Sequence, residues 1–408
     1  MNSNIIRNYA QLLAVKGLNV QPGQNVLITA ELDQPEFVTL CVEECYKAGA
    51  KKVVVDWTHT PVSRLHCDFR SLETQSTLEE WEIERWKWQL DALPAKLYIE
   101  SEDPDGLAGI DQDKHSKATQ AIRAAVKPFR DEMDNKYQWC IAAAPGKAWA
   151  KKMFPALPDS DAVLKLWKAI LATSRADSGN PVENWNAHNA DLIQRYNYLN
   201  SLGLASLHYS SSNGTDFTVG LLPNAVFCGG QEETLSGVTF NPNIPSEEIF
   251  TSPRSGDADG IVYATKPLSW QSNLIENFWI KFENGCVVDV GAEKNENLLR
   301  KMVAMDEGAS KIGEIALVPF NSPINNTGLL FYNTLFDENA CCHIALGFGF
   351  SNCLRGFENM TPAEIHQAGI NDSIIHVDFM IGSPDLNITG TTSDGKQIPV
   401  FQNGNWAF

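Results

Sequence analysis

The sequence lacks the features that mark several large classes of protein. It contains no apolar run of about 18 residues, the length that a membrane-spanning helix needs. Basic residues are few: the chain has 32 Lys and Arg and 50 Asp and Glu, and the formal net charge is -18. Phosphate backbones and anionic lipid headgroups repel such a chain, so we expect neither nucleic acid nor a membrane as a partner.

Two familiar sequence motifs are also missing. The nine cysteines form no Cys-x-x-Cys pair, and the chain opens on a polar, amphipathic helix instead of a signal peptide. Cysteines without a secretory signal are expected to be reduced and buried, and we therefore expect a cytoplasmic protein. No Gly-x-Gly-x-x-Gly follows a predicted strand, which leaves a dinucleotide-binding site without support.

The chain is long enough for two domains, and its patterning changes near residue 200. Before that point strands and helices alternate, which predicts an α/β domain over 1–200 with a parallel sheet and a helical cover. After it, short strands between glycine and asparagine turns predict an α+β domain over 201–408 with a mixed, mostly antiparallel, barrel-like sheet. The strands expected in the first domain cover residues 25–30, 51–57, 95–100 and 137–143, and the helices between them cover 34–48, 73–92 and 112–134.

Negative charge is concentrated in the second half of the chain. Residues 201–408 hold 23 acidic and 9 basic side chains, a net charge of -14, whereas residues 1–200 hold 27 and 23, a net charge of -4. Such an excess suits a cation, either a metal ion or the ammonium group of a substrate. A solvated acidic surface would give the same count.

One strand of the second half carries a candidate metal-binding pair. The stretch from Ile374 to Gly382 alternates as a buried strand does, so His376, Asp378 and Met380 share one face. An imidazole and a carboxylate two residues apart form a compact pair of metal ligands. The alternative is a His–Asp hydrogen bond satisfied inside a core.

Further acidic and imidazole side chains lie in apolar segments of the same half. Glu314 occupies a predicted apolar strand, where a carboxylate must be paired, protonated or bound to a metal. His343 begins another strand, and the small residues Ala345 and Gly347 follow it on the same face, leaving room for an ion. The remaining candidates are the acidic residues Glu247, Glu248 and Glu338. Taken together, these residues raise the expectation of a metal site.

Three of these segments resemble a known family, the thermophilic-type metalloaminopeptidases of the aminopeptidase T and aminopeptidase S group. The segments are 245–251, 335–347 and 371–383, and the resemblance extends over nearly the whole chain. It implies an exopeptidase that removes N-terminal residues from peptides through a water activated by two metal ions. It also implies a homodimer.

The resemblance further implies a site. Position by position, the ligands of two divalent ions (zinc, cobalt or manganese) fall on Glu248, Glu314, Glu338, His343, His376 and Asp378. Glu247, beside the first ligand, is the expected proton acceptor. At Phe350 the family commonly has tyrosine, which is thought to assist the tetrahedral intermediate. Phenylalanine cannot donate a hydrogen bond, so another donor such as Tyr332 or Tyr263 would have to replace it, or turnover would be slower.

The sequence leaves two alternatives open. The protein could be a metal-binding relative of that family with weak or no catalysis, in which Phe350 marks the lost chemistry. It could also be a mononuclear iron oxygenase, because His376, Asp378 and a second histidine form a facial triad. No histidine follows His376 in the sequence, which disfavours the oxygenase.

Overall fold

The computed structural model describes residues 3–408. Its α-helices are, in chain order, α1 (Ser3–Leu12), α2 (Pro35–Lys47), α3 (Thr60–Phe69), α4 (Leu72–Gln75), α5 (Glu80–Ala92), α6 (Gln112–Met133), α7 (Lys147–Met153), α8 (Asp159–Thr173), α9 (Pro181–Ser201), α10 (Glu296–Val303), α11 (Thr334–Glu338) and α12 (Pro362–Ala368). Its strands are β1 (Asn25–Glu31), β2 (Lys52–Thr58), β3 (Ala95–Glu100), β4 (Trp139–Ala143), β5 (Leu204–Ser210), β6 (Asp216–Gly220), β7 (Glu232–Glu233), β8 (Thr239–Phe240), β9 (Ile249–Thr251), β10 (Ala258–Tyr263), β11 (Leu268–Trp270), β12 (Asn273–Glu283), β13 (Cys286–Lys294), β14 (Ile312–Leu317), β15 (His343–Gly347), β16 (His376–Met380), β17 (Asn387–Thr392), β18 (Gln397–Gln402) and β19 (Asn405–Trp406).

These elements divide into two compact units. The first unit runs to Asn189 and includes the segment Gly230–Ser246; the second unit comprises Ala190–Gly229 and Glu247–Phe408. The domain division after residue 200, inferred from the sequence, stays a prediction. No helix within residues 3–408 has both the length and the apolar character that crossing a membrane requires.

The first unit contains the predicted parallel sheet. Its four strands lie in the order β2-β1-β3-β4, and every neighbouring pair is parallel. Alternation of strands and helices in the sequence produces this arrangement because parallel neighbours need a crossover, usually a helix. The α/β prediction is therefore confirmed.

One helix prediction in the first unit is wrong in its bounds. The helix expected around 73–92 is broken: α4 ends at Gln75 and α5 begins only at Glu80. The hydroxyl of Ser71 accepts a hydrogen bond from the N–H of Thr74, and the N–H of Glu79 donates to the carboxylate of Glu82 at 2.8 Å. These caps start two separate helices where the apolar spacing alone suggested one.

The second unit is built from antiparallel sheets, as the sequence predicts. The larger sheet has the order β11-β12-β10-β6-β5-β17-β18-β19, with β13 paired to β12, and the smaller has the order β16-β15-β14-β9. Alternate residues of the two sheets share one apolar core, in which the rings of Phe278 and Phe379 lie 5.7 Å apart. One face of the small sheet is therefore apolar, and its other face is left for the residues described next.

Candidate metal centre

The second face of the small sheet gathers the charged residues. In the antiparallel register Asp378 lies opposite Ala345, which in turn lies opposite Glu314 on the next strand. His376 lies opposite Gly347 in the same way. Directly opposite residues in an antiparallel pair point to the same face, so the small side chains of β15 lie between charged side chains of β14 and β16.

An irregularity in β14 puts Glu314 on this face. Ile312 pairs with Leu346, yet Glu314 pairs with Ala345, so Gly313 is an extra residue on β14. In a regular strand Ile312 and Glu314 would share a face, but the bulge lets the isoleucine enter the core while the carboxylate faces the site. A Cβ atom at position 313 would lie 2.2 Å from the carbonyl oxygen of Phe348, which explains why glycine is needed there.

Side chains from four segments meet at this face in two groups of potential ligands. Ligand atoms of Glu248, Glu314 and His343 all lie within 4.8 Å of one another, and so do those of Glu314, His376 and Asp378. Glu314 belongs to both groups. All five residues are buried except His376, which is half-buried. A carboxylate shared by two neighbouring ligand groups suits a pair of divalent ions.

Both imidazoles are oriented by backbone carbonyl groups. Nδ1 of His376 lies 2.7 Å from the carbonyl oxygen of Phe348, and Nδ1 of His343 lies 3.4 Å from that of Cys341. A carbonyl can only accept, so Nδ1 carries the proton and Nε2 faces the carboxylates. The Nε2 atoms lie 3.0 Å from Glu314 for His376 and 3.2 Å from Glu248 for His343. Metal-binding histidines typically show this arrangement.

The buried carboxylates of the cluster favour the binding of positive charge. Burial raises the pKa of Glu314 to about 6, and the neighbouring charges of Glu248 and Asp378 add to the rise. Burial lowers the pKa of His343, but the hydrogen bond with Glu248 and the surrounding carboxylates outweigh it and raise the pKa to about 9. Oδ1 of Asp378 is buried, and Nε2 of His376 lies 3.3 Å from it. The residues present therefore fit divalent cations.

Glu338 lies next to the two groups but belongs to neither. It is the last residue of α11 and is half-buried. Burial raises its pKa well above the ordinary value, and the charges of Asp378, Glu248 and Glu314 raise it further. A carboxylate whose pKa responds to these three charges is close to the cluster.

Glu247 and Phe350 occupy different surroundings. Glu247 is buried outside the two groups, and its backbone N–H donates to Oδ1 of Asn339 at 2.8 Å. The ring of Phe350 lies 4.9 Å from the ring of His376 and 5.6 Å from that of Phe250. Phe350 therefore borders the cluster and presents an apolar ring there.

Sequence analysis missed the residues that hold the cluster in place. Asn339 bonds to the Glu247 backbone, and the hydroxyl of Ser252 accepts from the N–H of Phe350 at 2.7 Å. An amide directly after an acidic residue at the end of a short helix is a signal that could have identified Asn339. The contact with the backbone carbonyl of Phe348 could not be predicted from the sequence, because every residue has a carbonyl group.

The cluster is a set of potential metal ligands on one face of an antiparallel sheet. Comparison with known proteins gives the family. The sequence profile described as "Thermophilic metalloprotease (M29)" matches residues 2–406. This chain belongs to that family, and the resemblance inferred from the sequence is confirmed.

Several relatives match over nearly their full length. The chain is 41% identical to aminopeptidase AmpS of Bacillus subtilis, covering 100% of this chain and 99% of that protein. It is 36% identical to aminopeptidase T of Thermus aquaticus, covering 98% of each. The structure of wild-type AmpT from Thermus thermophilus is similar with a TM-score of 0.90 at 34% identity, over 100% of both chains.

Proposed function

We propose that this protein is a metal-dependent aminopeptidase that hydrolyses the N-terminal residue from peptides. The observation that carries the proposal is the pair of ligand groups joined by Glu314 on one buried sheet face. The relatives that match over the whole chain are named aminopeptidases, which supports peptides as the substrate class. The proposal includes two ions, since each ligand group has its own imidazole.

Six residues would hold the ions. One ion would bind His343 with Glu248, the other would bind His376 with Asp378, and Glu314 would be shared, with Glu338 as a further ligand. Carboxylates and neutral imidazoles suit zinc, cobalt or manganese. Divalent ions in such a centre supply a nucleophile by lowering the pKa of water, and they polarise a carbonyl group.

Other parts of the reaction fall to the side chains themselves. The excess of acidic side chains in residues 201–408 would favour binding of the ammonium group of a peptide's first residue, which would confine cleavage to chain ends. We assign the role of proton acceptor to the carboxylate of Glu247, whose backbone is anchored beside the cluster. Phe350 packs against His376 but offers no donor. A donor to the developing oxyanion would have to come from elsewhere, with Tyr332 and Tyr263 as the candidates.

An assay with aminoacyl-nitroanilides tests the proposal. The purified protein is incubated with these substrates, with and without a chelator, and zinc, cobalt or manganese is then added back. We expect release of nitroaniline that the chelator abolishes and that the added metal restores. Bound metal without release would support the inactive relative, and iron-dependent oxygen uptake would support the oxygenase. Either outcome would contradict the proposal.

The proposal also includes a homodimer in the cytoplasm. Helix α3 exposes Val62, Leu65 and Phe69 along one face, and the Phe69 side chain is 83% exposed. Contiguous exposed apolar side chains often mark a protein interface. Light scattering is expected to give twice the mass of the 45.1 kDa chain, and Phe69→Glu is expected to shift it towards the monomer. A monomeric wild-type protein would contradict the dimer.

A further inference from the structure

Asn339 joins two segments that carry candidate ligands. It follows Glu338 directly and caps the C-terminus of α11. Its Oδ1 accepts from the N–H of Glu247 at 2.8 Å, and its Nδ2 donates to the carbonyl of Leu335 at 3.0 Å and to Oε1 of Glu338 at 3.3 Å. One side chain thus contacts the residue before Glu248 and the carboxylate of Glu338.

Only an amide of this length satisfies all three contacts. Asn339 is fully buried, so a lost hydrogen bond there would not be replaced by bulk water. A carboxylate could accept from Glu247 but could not donate to Leu335 or to Glu338. An apolar side chain of similar size could do neither, and it would leave the N–H of Glu247 without its acceptor.

The connection matters because the two segments are far apart in sequence and neither ligand lies within a strand. Glu248 lies just before β9, and Glu338 ends a helix of five residues. The register of the sheet sets the positions of Glu314, His343, His376 and Asp378. It does not set the positions of the Glu248 and Glu338 carboxylates. Their placement relative to each other depends on contacts outside the sheet.

We propose that Asn339 is a positioning residue that sets the relative placement of Glu248 and Glu338 and thereby the affinity and geometry of the metal centre. This inference rests on the proposed function, since it presupposes that these carboxylates bind metal. Replacing groups that orient metal ligands typically lowers metal affinity by about 10- to 100-fold. We expect Asn339→Ala to lower the affinity for Co²⁺ by an amount in this range.

Binding of Co²⁺ to the metal-free protein tests the inference without relying on turnover. Its visible absorption reports the geometry of the ligands around the ion. Asn339→Ala removes all three contacts, whereas Asn339→Asp keeps the acceptor for Glu247 and places a second carboxylate beside Glu338. We expect both variants to bind Co²⁺ more weakly than the wild type and with an altered spectrum. Thermal unfolding of the metal-free proteins shows whether each variant folds.

A matched variant controls for the loss of a buried amide. Asn241 in the first unit is equally buried, and its side chain bonds to Asn189 and to the carbonyl of Gly230. We expect Asn241→Ala to lower the melting temperature and to leave Co²⁺ affinity and spectrum unchanged. If the Asn339 variants fold and bind Co²⁺ as the wild type does, the inference is wrong.

The remaining outcomes are also decisive. If neither Asn339 variant folds, the residue is structural for the whole unit and the positioning role is overturned. If only Asn339→Asp folds, the Co²⁺ spectrum of that variant decides whether Asn339 has the positioning role. Failure of the wild-type protein itself to bind Co²⁺ would contradict the proposed function, and with it this inference. An effect on Co²⁺ binding confined to the Asn339 variants supports it.

Discussion

Within residues 3–408 the chain contains two four-stranded sheets that differ in what they bury. In the parallel sheet of the first unit, the buried positions of β1 are mostly apolar, and the charged Glu31 lies at the strand end. In the small antiparallel sheet, β14 and β15 are buried along their whole length, yet they include Glu314 and His343. Strands of both sheets are therefore buried, but the small antiparallel sheet buries ionisable side chains that face the candidate metal centre. Charged side chains inside the second sheet can persist only if something compensates them.

The largest expected effect comes from removing the shared carboxylate of the antiparallel sheet. We expect Glu314→Gln to lower kcat/KM by at least about 10³-fold, because an amide neither carries the negative charge nor bridges two ions well. Metal content, measured on the purified variant, should fall as well. Glu44→Gln makes the same chemical change at a buried glutamate of the first unit and should retain both metal and activity. Full activity of Glu314→Gln would contradict the proposal that the antiparallel sheet, unlike the parallel one, holds a catalytic metal centre.

The second prediction concerns the bulge that separates the two faces of β14. A side chain at Gly313 would collide with the carbonyl oxygens of Gly347 and Phe348, so we expect Gly313→Ala to destabilise the protein by about 1–3 kcal/mol. Because Glu314 would be displaced as well, metal affinity should fall by about 10-fold or more. Urea unfolding and metal titration measure the two effects.

A glycine with strain but no collision is the control for this variant. Gly256 has φ +81 and open space where a Cβ would be placed. We expect Gly256→Ala to cost about 1–2 kcal/mol through its backbone conformation and to leave metal affinity unchanged. If Gly313→Ala behaves in the same way, the bulge does not position Glu314.

Hydrophobic periodicity in the sequence predicted much of the fold and part of the candidate site. The features that it did not predict depend on contacts between residues far apart in the sequence. Alternation along a strand predicted that His376 and Asp378 share a face, and βα alternation predicted the parallel sheet. The bulge at Gly313 could not be predicted, because it depends on the carbonyl groups of a strand more than 30 residues away. The approach of Glu248 and Glu338 depends on loop contacts, and only the family resemblance indicated it.

The parallel sheet offers a third test, since its strand β3 contains a buried basic side chain. Lys96 of β3 is 3% exposed and lies over the rings of Tyr137 and Trp86, at 4.5 and 5.4 Å. Burial lowers its pKa from 10.5 to about 8, and nearby Arg130 and Arg85 contribute. At pH 7 the ammonium group therefore reduces stability. We expect Lys96→Met to stabilise the first unit by about 1–2 kcal/mol, after loss of the ring contacts is counted.

The sign of the pH dependence follows from the same pKa. Between about pH 8 and 10.5 the unfolded chain keeps the proton that the folded Lys96 has released, so this residue's contribution to stability rises with pH. The free energy of unfolding of wild type minus that of Lys96→Met should therefore increase across this window. The difference cancels the titration of the cysteines and tyrosines that both proteins share. A constant difference would show that the parallel sheet does not bury a charged lysine.

The smallest expected effect concerns the aromatic border of the metal centre. Phe350→Tyr adds a phenol beside His376, at the position where the family resemblance implies a tyrosine. A hydrogen bond to charge that develops only in the transition state raises kcat and leaves KM nearly unchanged. We expect kcat on aminoacyl-nitroanilides to rise several-fold, with metal affinity as in the wild type. Phe348→Tyr adds the same hydroxyl to the neighbouring ring, 6.1 Å from that of Phe350, and should not raise kcat. If neither variant is faster, the missing phenol does not limit turnover, and a donor elsewhere, such as Tyr332 or Tyr263, already serves the reaction.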